Sequence, residues 1–326
     1  MQIRVPEYFL KFKCIADKCQ DSCCIGWEID IDDATRESYA NLDTELGREI
    51  VEKTKGGFFP LEKNGRCAFL DAKGLCRIIS SVGEGYLCDI CREHPRYYGI
   101  SADGLEGGLG LGCEEAARLI LESGGTAEFG YIEHSPSYVS EDELASFTDN
   151  VREMIYAKIK EYDASKLAGY LLTLAPILDG LAFDVCAGLE AGDVPDIEAT
   201  SDHDALASGY EAFLELVSEC EALTDEWRIS TTAAQGVDPG WASGQENAFK
   251  SLIFYFTHRY VRECIEDMSL GQRILFSLYS ALFIIALAKS NTYDGATVRA
   301  AVDFSKNIEY STDNVDMILD GLSGIL

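Results

Sequence analysis

"FKCIADKCQDSCC", residues Phe12–Cys24, places Cys14, Cys19, Cys23 and Cys24 close together near the start of the chain. Their reading sets the architecture, because a segment this rich in thiols is organised around bound metal rather than around periodic secondary structure. Working outward, nine of the twelve cysteines fall within residues 14–113: these four, then Cys67, Cys76, Cys88, Cys91 and Cys113. Cys186, Cys220 and Cys264 stand singly in helical patterns and read as small buried apolar side chains.

Disulfides are the least fitting account of the nine. They would need secretion, and an odd count leaves one thiol over. The opening "MQIRVPEYFLKFKC" has a proline and charges where a signal peptide carries its apolar stretch. "ILFSLYSALFIIALA" (Ile274–Ala288) falls short of the ~20 residues that span a bilayer, and reads as a buried core helix. The expectation is a cytoplasmic, non-membrane protein with reduced thiols.

Between metals, spacing favours an iron–sulfur cluster over zinc. Structural zinc sites usually draw on two C-x2-C pairs. Here only Cys88 and Cys91 have that form, the others being spaced C-x4-C-x3-C-C and C-x8-C. Adjacent Cys23 and Cys24 would point to opposite sides of an extended backbone. Nine thiols suit one four-thiolate cluster with five to spare, or two sites with one left over. The ferredoxin run C-x2-C-x2-C-x3-C is absent, as is the C-x3-C-x2-C of radical enzymes that cleave S-adenosylmethionine.

"GCEEAARLILESGG" (Gly112–Gly125) predicts a short helix with Cys113 at its N-terminus, where the helix field favours a thiolate. The preceding "EGGLGLG" (Glu106–Gly112) superficially suits a nucleotide cradle. Without a clear strand before it, a flexible turn delivering Cys113 to the other thiols fits better.

The formal charge of −29 speaks against nucleic-acid or anionic-lipid partners. It divides unevenly, −7 over residues 1–125 and −22 over the remainder. A solvated acidic shell accounts for this, and attraction of a lysine-rich protein is the sharper alternative.

Four stretches carry a resemblance: "YFLKFKCIADKCQDSCCIGWEIDID" (Tyr8–Asp32), "CAFLDAKGLCRII" (Cys67–Ile79), "YLCDICREHPRYY" (Tyr86–Tyr98) and "CEEAARLIL" (Cys113–Leu121). They resemble the flagellin lysine-N-methylases, within a wider group of zinc- or iron-chelating proteins with a CxxCxxCC-type motif. "FYFTHRYVRECIEDMSLGQRILFSLYSALFIIALA" (Phe254–Ala288) and "FSKNIEYSTDNVDMILDGL" (Phe304–Leu322) extend the likeness. The resemblance implies methyl transfer from S-adenosylmethionine to lysine amines of flagellin or another lysine-bearing protein, with a 4Fe-4S cluster on the N-terminal cysteines. The alternative is a non-enzymatic iron- or zinc-binding protein. The family has Tyr-Pro-Arg where this chain has His94-Pro95-Arg96, so His94 reads as structural rather than as a ligand.

The fold class expected is mainly α. Residues 1–125 form a cysteine-rich metal-binding half, with a helix from Asp32-Asp33 to about Lys55 and an apolar shell from Trp27, Phe69 and Tyr86. Residues 126–326 form a helical half, and no strong strand pattern is expected anywhere in the chain. A capping box at Ser140…Glu143 opens its first helix. Further helices are expected over about 165–188, 205–225, 246–267, 270–289 and 295–324, with an acidic loop near 190–204. In "FKSLIFYFTHRYVREC" (Phe249–Cys264) the aromatic stripe is ordinary core spacing. Arg259 and Arg262 are candidates to clamp the carboxylate of a bound cofactor, against the plainer reading of surface salt bridging. No residue pattern marks a catalytic base.

Overall fold

In the computed structural model the description covers residues 1–126, 128–139, 145–186, 195, 197–199, 202–234, 240–264, 267–290 and 295–326. The proposed capping box at Ser140…Glu143, the side chain of Cys186 and most of the 190–204 loop lie outside them.

The chain begins with a strand, β1 (Gln2–Pro6), followed at once by a one-turn helix, α1 (Glu7–Lys11). The cysteine-rich segment then holds a two-stranded ribbon, β2 (Ile29–Asp30) and β3 (Phe58–Phe59). Its helices are α2 (Asp33–Ala40), α3 (Glu45–Lys53), α4 (Arg77–Val82) and α5 (Asp89–Glu93). A hairpin of β4 (Arg96–Ser101) and β5 (Gly104–Leu109) follows, then α6 (Glu114–Glu122) and β6 (Phe129–Glu133). Helices α7 (Ala145–Glu161), α8 (Ala164–Cys186), α9 (His203–Glu219), α10 (Asp225–Ala233), α11 (Glu246–Tyr260) and α12 (Leu270–Lys289) come next. The last are α13 (Ala296–Phe304), a π-helical turn (Ser305–Glu309) and α14 (Thr312–Leu322).

The protein is mainly α, but the expectation of no strand pattern fails. Four strands form a mixed sheet in the order β4-β5-β1-β6. β1 runs parallel to β5, pairing Ile3 with Leu105 and Arg4 with Glu106, and antiparallel to β6. Ile3 and Val5 are fully buried beneath it. A parallel pair needs a long crossover, and the thiol segment as far as Cys91 lies in that crossover, with Cys113 just after β5. β5 escaped notice because "GLEGGL" is glycine-rich and reads as a turn. The Asp103-Gly104 pair at the β4–β5 turn was the available signal, with Gly104 at φ +131°.

Two separate cores result. The larger joins β1, α1, α6 and the sheet to the long helices. At its centre lies α12, buried along nearly its whole length, as expected for a helix with no polar face. Helices α12 and α8 (over Ala164–Asp184) are both long and apolar enough to cross a membrane, and α12 is 89 % buried inside the molecule. The smaller core comprises Ile31, Tyr39, Ile50, Phe59, Phe69, Ile78 and Cys88. Phe69 and Tyr86 join it, whereas Trp27 packs its ring on Tyr310, 5.0 Å between centroids. The helix expected from Asp32 to Lys55 is broken at residues 41–44, where the Thr44 hydroxyl caps α3 by accepting from the Gly47 N–H at 3.0 Å. The single span expected over 295–324 is likewise interrupted, by the π-helical turn.

Candidate metal centre and adjoining polar chamber

The fold sorts the nine thiols into two neighbourhoods. The first gathers at the start of α6. Cys113 is the residue preceding that helix. The Glu114 carboxylate, in its first turn, accepts the N–H groups of Gln20 (2.6 Å) and Asp21 (3.0 Å) and the Cys19 thiol (3.4 Å). That clamp brings Cys19 beside Cys113, and Cys23 and exposed Cys14 lie within electrostatic reach of Cys113. Asp21 further ties this loop to the C-terminal helices, through Lys306 and through Arg299 at 3.2 Å.

The second neighbourhood belongs to the smaller core, which Cys67, Cys76, Cys88 and Cys91 all enter. Cys76 precedes α4, Cys88 precedes α5, and Cys91 lies one turn into α5. Asp32 fixes the last two: its carboxylate caps α2 through Thr35 N–H (2.8 Å) and accepts Asp89 N–H (3.0 Å) at the head of α5. Cys24 adjoins the second group, within electrostatic reach of Cys67, Cys76 and Cys91. Its carbonyl accepts the Cys67 N–H at 2.8 Å, and its thiol shares a hydrogen bond with that of Cys23.

Protonation follows from these surroundings. The bond from Cys23 lowers the Cys24 thiol to about 7, and Cys23 itself rises. The same sharing lowers Cys88 and raises Cys91. Burial pushes Cys19 up to about 12 and Cys67 to about 11. Burial also raises Cys113, outweighing the N–H groups of Ala116 and Glu115, so the expected helix-stabilised thiolate is not found. Among the described residues no three Cys, His, Asp or Glu side chains converge closely enough to grip one ion. His94 caps the end of α5, and burial lowers it to about 4. Cys220 and Cys264 are buried, as expected.

Beside the first neighbourhood lies a cluster of polar side chains, most of them buried and with Tyr310 at its exposed edge, that sequence reasoning missed. "EGGLGLG" is no flexible turn: its first four residues belong to β5, and its glycines lie against Tyr97 and Tyr310. A Cβ at Gly108 would sit 2.3 Å from the Tyr97 hydroxyl, and one at Gly112 would sit 2.4 Å from the Tyr310 ring. These glycines let both aromatic rings lie flat on the backbone. Glu309 of the π-helical turn accepts the hydroxyls of Tyr255 (2.7 Å) and Tyr260 (2.9 Å). Tyr310 lies within electrostatic reach of Arg259, Glu309, Cys113 and Cys23, which joins this cluster and the thiols. The hydroxyls of Tyr8 and Tyr97, Arg262 Nε and Glu309 Oε2 make no hydrogen bond to described residues.

The two candidate arginines differ. Arg259 donates to the Tyr255 hydroxyl at 2.7 Å, pairs with Glu309 at 3.5 Å and lies over the rings of Tyr97 and Tyr260. Its charge is already answered. Arg262 is 3 % exposed and lies against the Gly99 backbone, with Glu263 no closer than 3.8 Å. Neither is a surface salt-bridge residue. His258 is structural: its Nε2–H donates to the Gly107 carbonyl at 3.1 Å, and Nδ1 accepts from Tyr156 at 3.2 Å. Close by, Arg152 holds buried Glu106 at 2.7 Å and Arg4 reaches it at 2.9 Å.

The chain is similar to lysine-N-methylases of Salmonella typhimurium and Salmonella choleraesuis, each 30 % identical over 130 residues, or 36 % of this chain. The match spans 31 % of each of those proteins, so the chain covers about a third of their length. It is also similar to the flagellar biosynthetic protein FliU of Salmonella muenchen, at 28 % identity over 36 % of this chain and 75 % of that protein. No family profile matches the chain, and no solved structure matches it.

Proposed function

We propose that this protein is a metal-dependent protein-lysine N-methyltransferase that takes its methyl group from S-adenosylmethionine and acts on flagellin or a similar lysine-bearing protein. The observation that carries the reading is the similarity to proteins named lysine-N-methylase. The polar cluster beside the thiols, with unpartnered Tyr97 hydroxyl, Arg262 Nε and Glu309 Oε2, supports it. A thiolate donor set fits an iron–sulfur cluster, with zinc the alternative, since both bind soft sulfur ligands. Such a cluster, when bound, would anchor the donor or pass electrons.

The remaining chemistry falls to the chain itself. S-Adenosylmethionine carries a carboxylate and a sulfonium. Arg262, buried and short of partners, suits the carboxylate through charge-assisted hydrogen bonds. A substrate lysine reacts only as the neutral amine, so a partly desolvated site lowers the cost of shedding its proton. Burial raises the cluster's tyrosines, which therefore stay protonated and act as hydrogen-bond donors.

Calorimetry with anaerobically prepared protein tests donor binding, and transfer of labelled methyl groups to flagellin tests the reaction. Arg262→Lys, which keeps the charge but loses the planar fork, is expected to weaken donor binding by ~10-fold or more. Arg259→Lys is expected to have the smaller effect. Wild-type protein that neither binds the donor nor transfers methyl groups would exclude the reading.

A further inference from the structure

We infer that β6 is a docking edge, to whose free side an extended, lysine-bearing segment of the protein substrate pairs as an added strand. The choice of that occupant rests on the function proposed above, whereas the open edge does not.

β6 is the outermost strand in the order β4-β5-β1-β6. The bonds at its two ends fix which way each of its residues faces. Met1 and His134 exchange both backbone bonds, at 3.0 and 3.2 Å, and the Glu7 N–H donates to the Glu128 carbonyl at 2.9 Å. In an antiparallel ladder, bonded and non-bonded pairs alternate. Between those ends the bonded pairs are therefore Ile3 with Ile132 and Val5 with Gly130. Phe129, Tyr131 and Glu133 turn their N–H and C=O groups away from β1, where they meet no partner among the described residues.

The opposite edge is closed. On β4 the Arg96 carbonyl accepts the Tyr138 hydroxyl at 2.6 Å, and Arg262 lies against the Gly99 backbone. Exposed edges are usually blunted by lysine, by proline or by a covering element. The β6 sequence FGYIE contains neither residue, and its central side chain, Tyr131, is 65 % exposed.

Charge selects the occupant. In strand addition the backbone bonds supply affinity and the flanking side chains supply specificity. Glu128 and Glu133 bracket the edge, both exposed, and neither forms an ion pair with a described residue. The nearby cations are already engaged, Arg4 by Glu106 and Glu153 and Lys11 by Glu7. The edge is thus left with uncompensated negative charge, which an added strand bearing lysines would neutralise. A second copy would instead set the same acidic strand against itself, in a chain of net charge −29.

Amide hydrogen exchange on the full chain tests this, first with a peptide of alternating lysine and valine and then with monomeric flagellin. Exchange at Phe129, Tyr131 and Glu133 should slow several-fold on binding of either, whereas Gly130 and Ile132 are already protected in the free protein. Tyr131→Pro removes an outward N–H and no bond to β1, so it should weaken binding by ~5-fold or more while the urea midpoint stays near wild type. Should that variant prove unstable, the double variant Glu128→Lys, Glu133→Lys supplies the second measurement. Its binding should be several-fold weaker and lose most of its salt dependence. Binding that leaves the three amides unprotected would overturn the inference, as would wild-type affinity in both variants. Protection that appears without any peptide as the protein is concentrated would assign the edge to a second copy, and would also overturn it. A protected edge without methyl transfer would sink the proposed function alone. Methyl transfer to flagellin with the edge still exposed would sink this inference alone.

Discussion

Gly108 is a residue where backbone and site meet closely. Gly108→Ala would drive a methyl into the Tyr97 ring and hydroxyl, and overpacking of this kind costs about 1–3 kcal/mol. Gly85→Ala, with nothing within 4 Å, serves as the control and should leave urea unfolding unchanged. His258 predicts acid sensitivity. Burial lowers it from 6.5 to about 4, so the unfolded chain binds the proton more readily between those values. Stability is therefore full above pH 6.5 and falls as pH drops toward 4, by about 3 kcal/mol from this group. Burial alone would raise the Glu106 carboxyl, but His258, Arg152 and Arg4 outweigh it and hold it down to about 2, extending the loss to lower pH. Urea midpoints between pH 7 and 5 should decline for the wild type and about half as steeply for His258→Gln, because buried His94 is lowered to about 4 as well. A flat wild-type profile would exclude this account. Neither residue's role was visible in sequence, since His258 meets Gly107 and Tyr156 only through the fold.

At the scale of elements, Asp32 does double duty. Its carboxylate caps α2 and also accepts the Asp89 N–H that begins α5, and so sets where Cys88 and Cys91 point. Asp32→Ala should cost about 1–2 kcal/mol, the usual range for a lost cap. It should also raise the rate at which a thiol reagent labels Cys88 and Cys91 in metal-free protein. Labelling that stays at the wild-type rate would confine Asp32 to α2. Its capping role was legible, because Asp before a helical pattern is a local signal. The bond to Asp89 was not, because it closes over 57 residues. The same contrast separates Thr44, a local cap that splits one expected helix into two, from the β1–β5 pairing, whose glycine-rich strand lacks the alternation that announces strands.

For the whole molecule, the division into two cores predicts how it comes apart. On the proposed metal-dependent reading, stripping metal from the native protein should expose residues 29–91 to protease while the larger core survives as a resistant fragment. Equal resistance with and without metal would show that the smaller core stands alone. The net charge of −29 yields a kinetic expectation that rests on the proposed function. If acidity steers a lysine-bearing substrate, the Michaelis constant for flagellin rises with salt while turnover at saturation holds, because exposed charges are screened beyond about 8 Å at physiological ionic strength. A salt-independent constant would leave the acidity as a solvated shell.

By itself the sequence determined the features that local chemistry dictates. Apolar periodicity announced the helical half and the burial of α12. Thiol density announced a segment without long regular elements, and Asp32 and Cys113 marked helix starts. Tertiary structure alone decided the partnerships. It laid β1 beside a strand a hundred residues away, sorted nine thiols into two neighbourhoods that meet at adjacent Cys23 and Cys24, and let Glu309 occupy Arg259 while Arg262 stayed short of partners. The physical reason is common to all three. Caps and periodic faces act within a few residues and leave their pattern in the chain, whereas contacts across the fold depend on distances that sequence spacing does not encode.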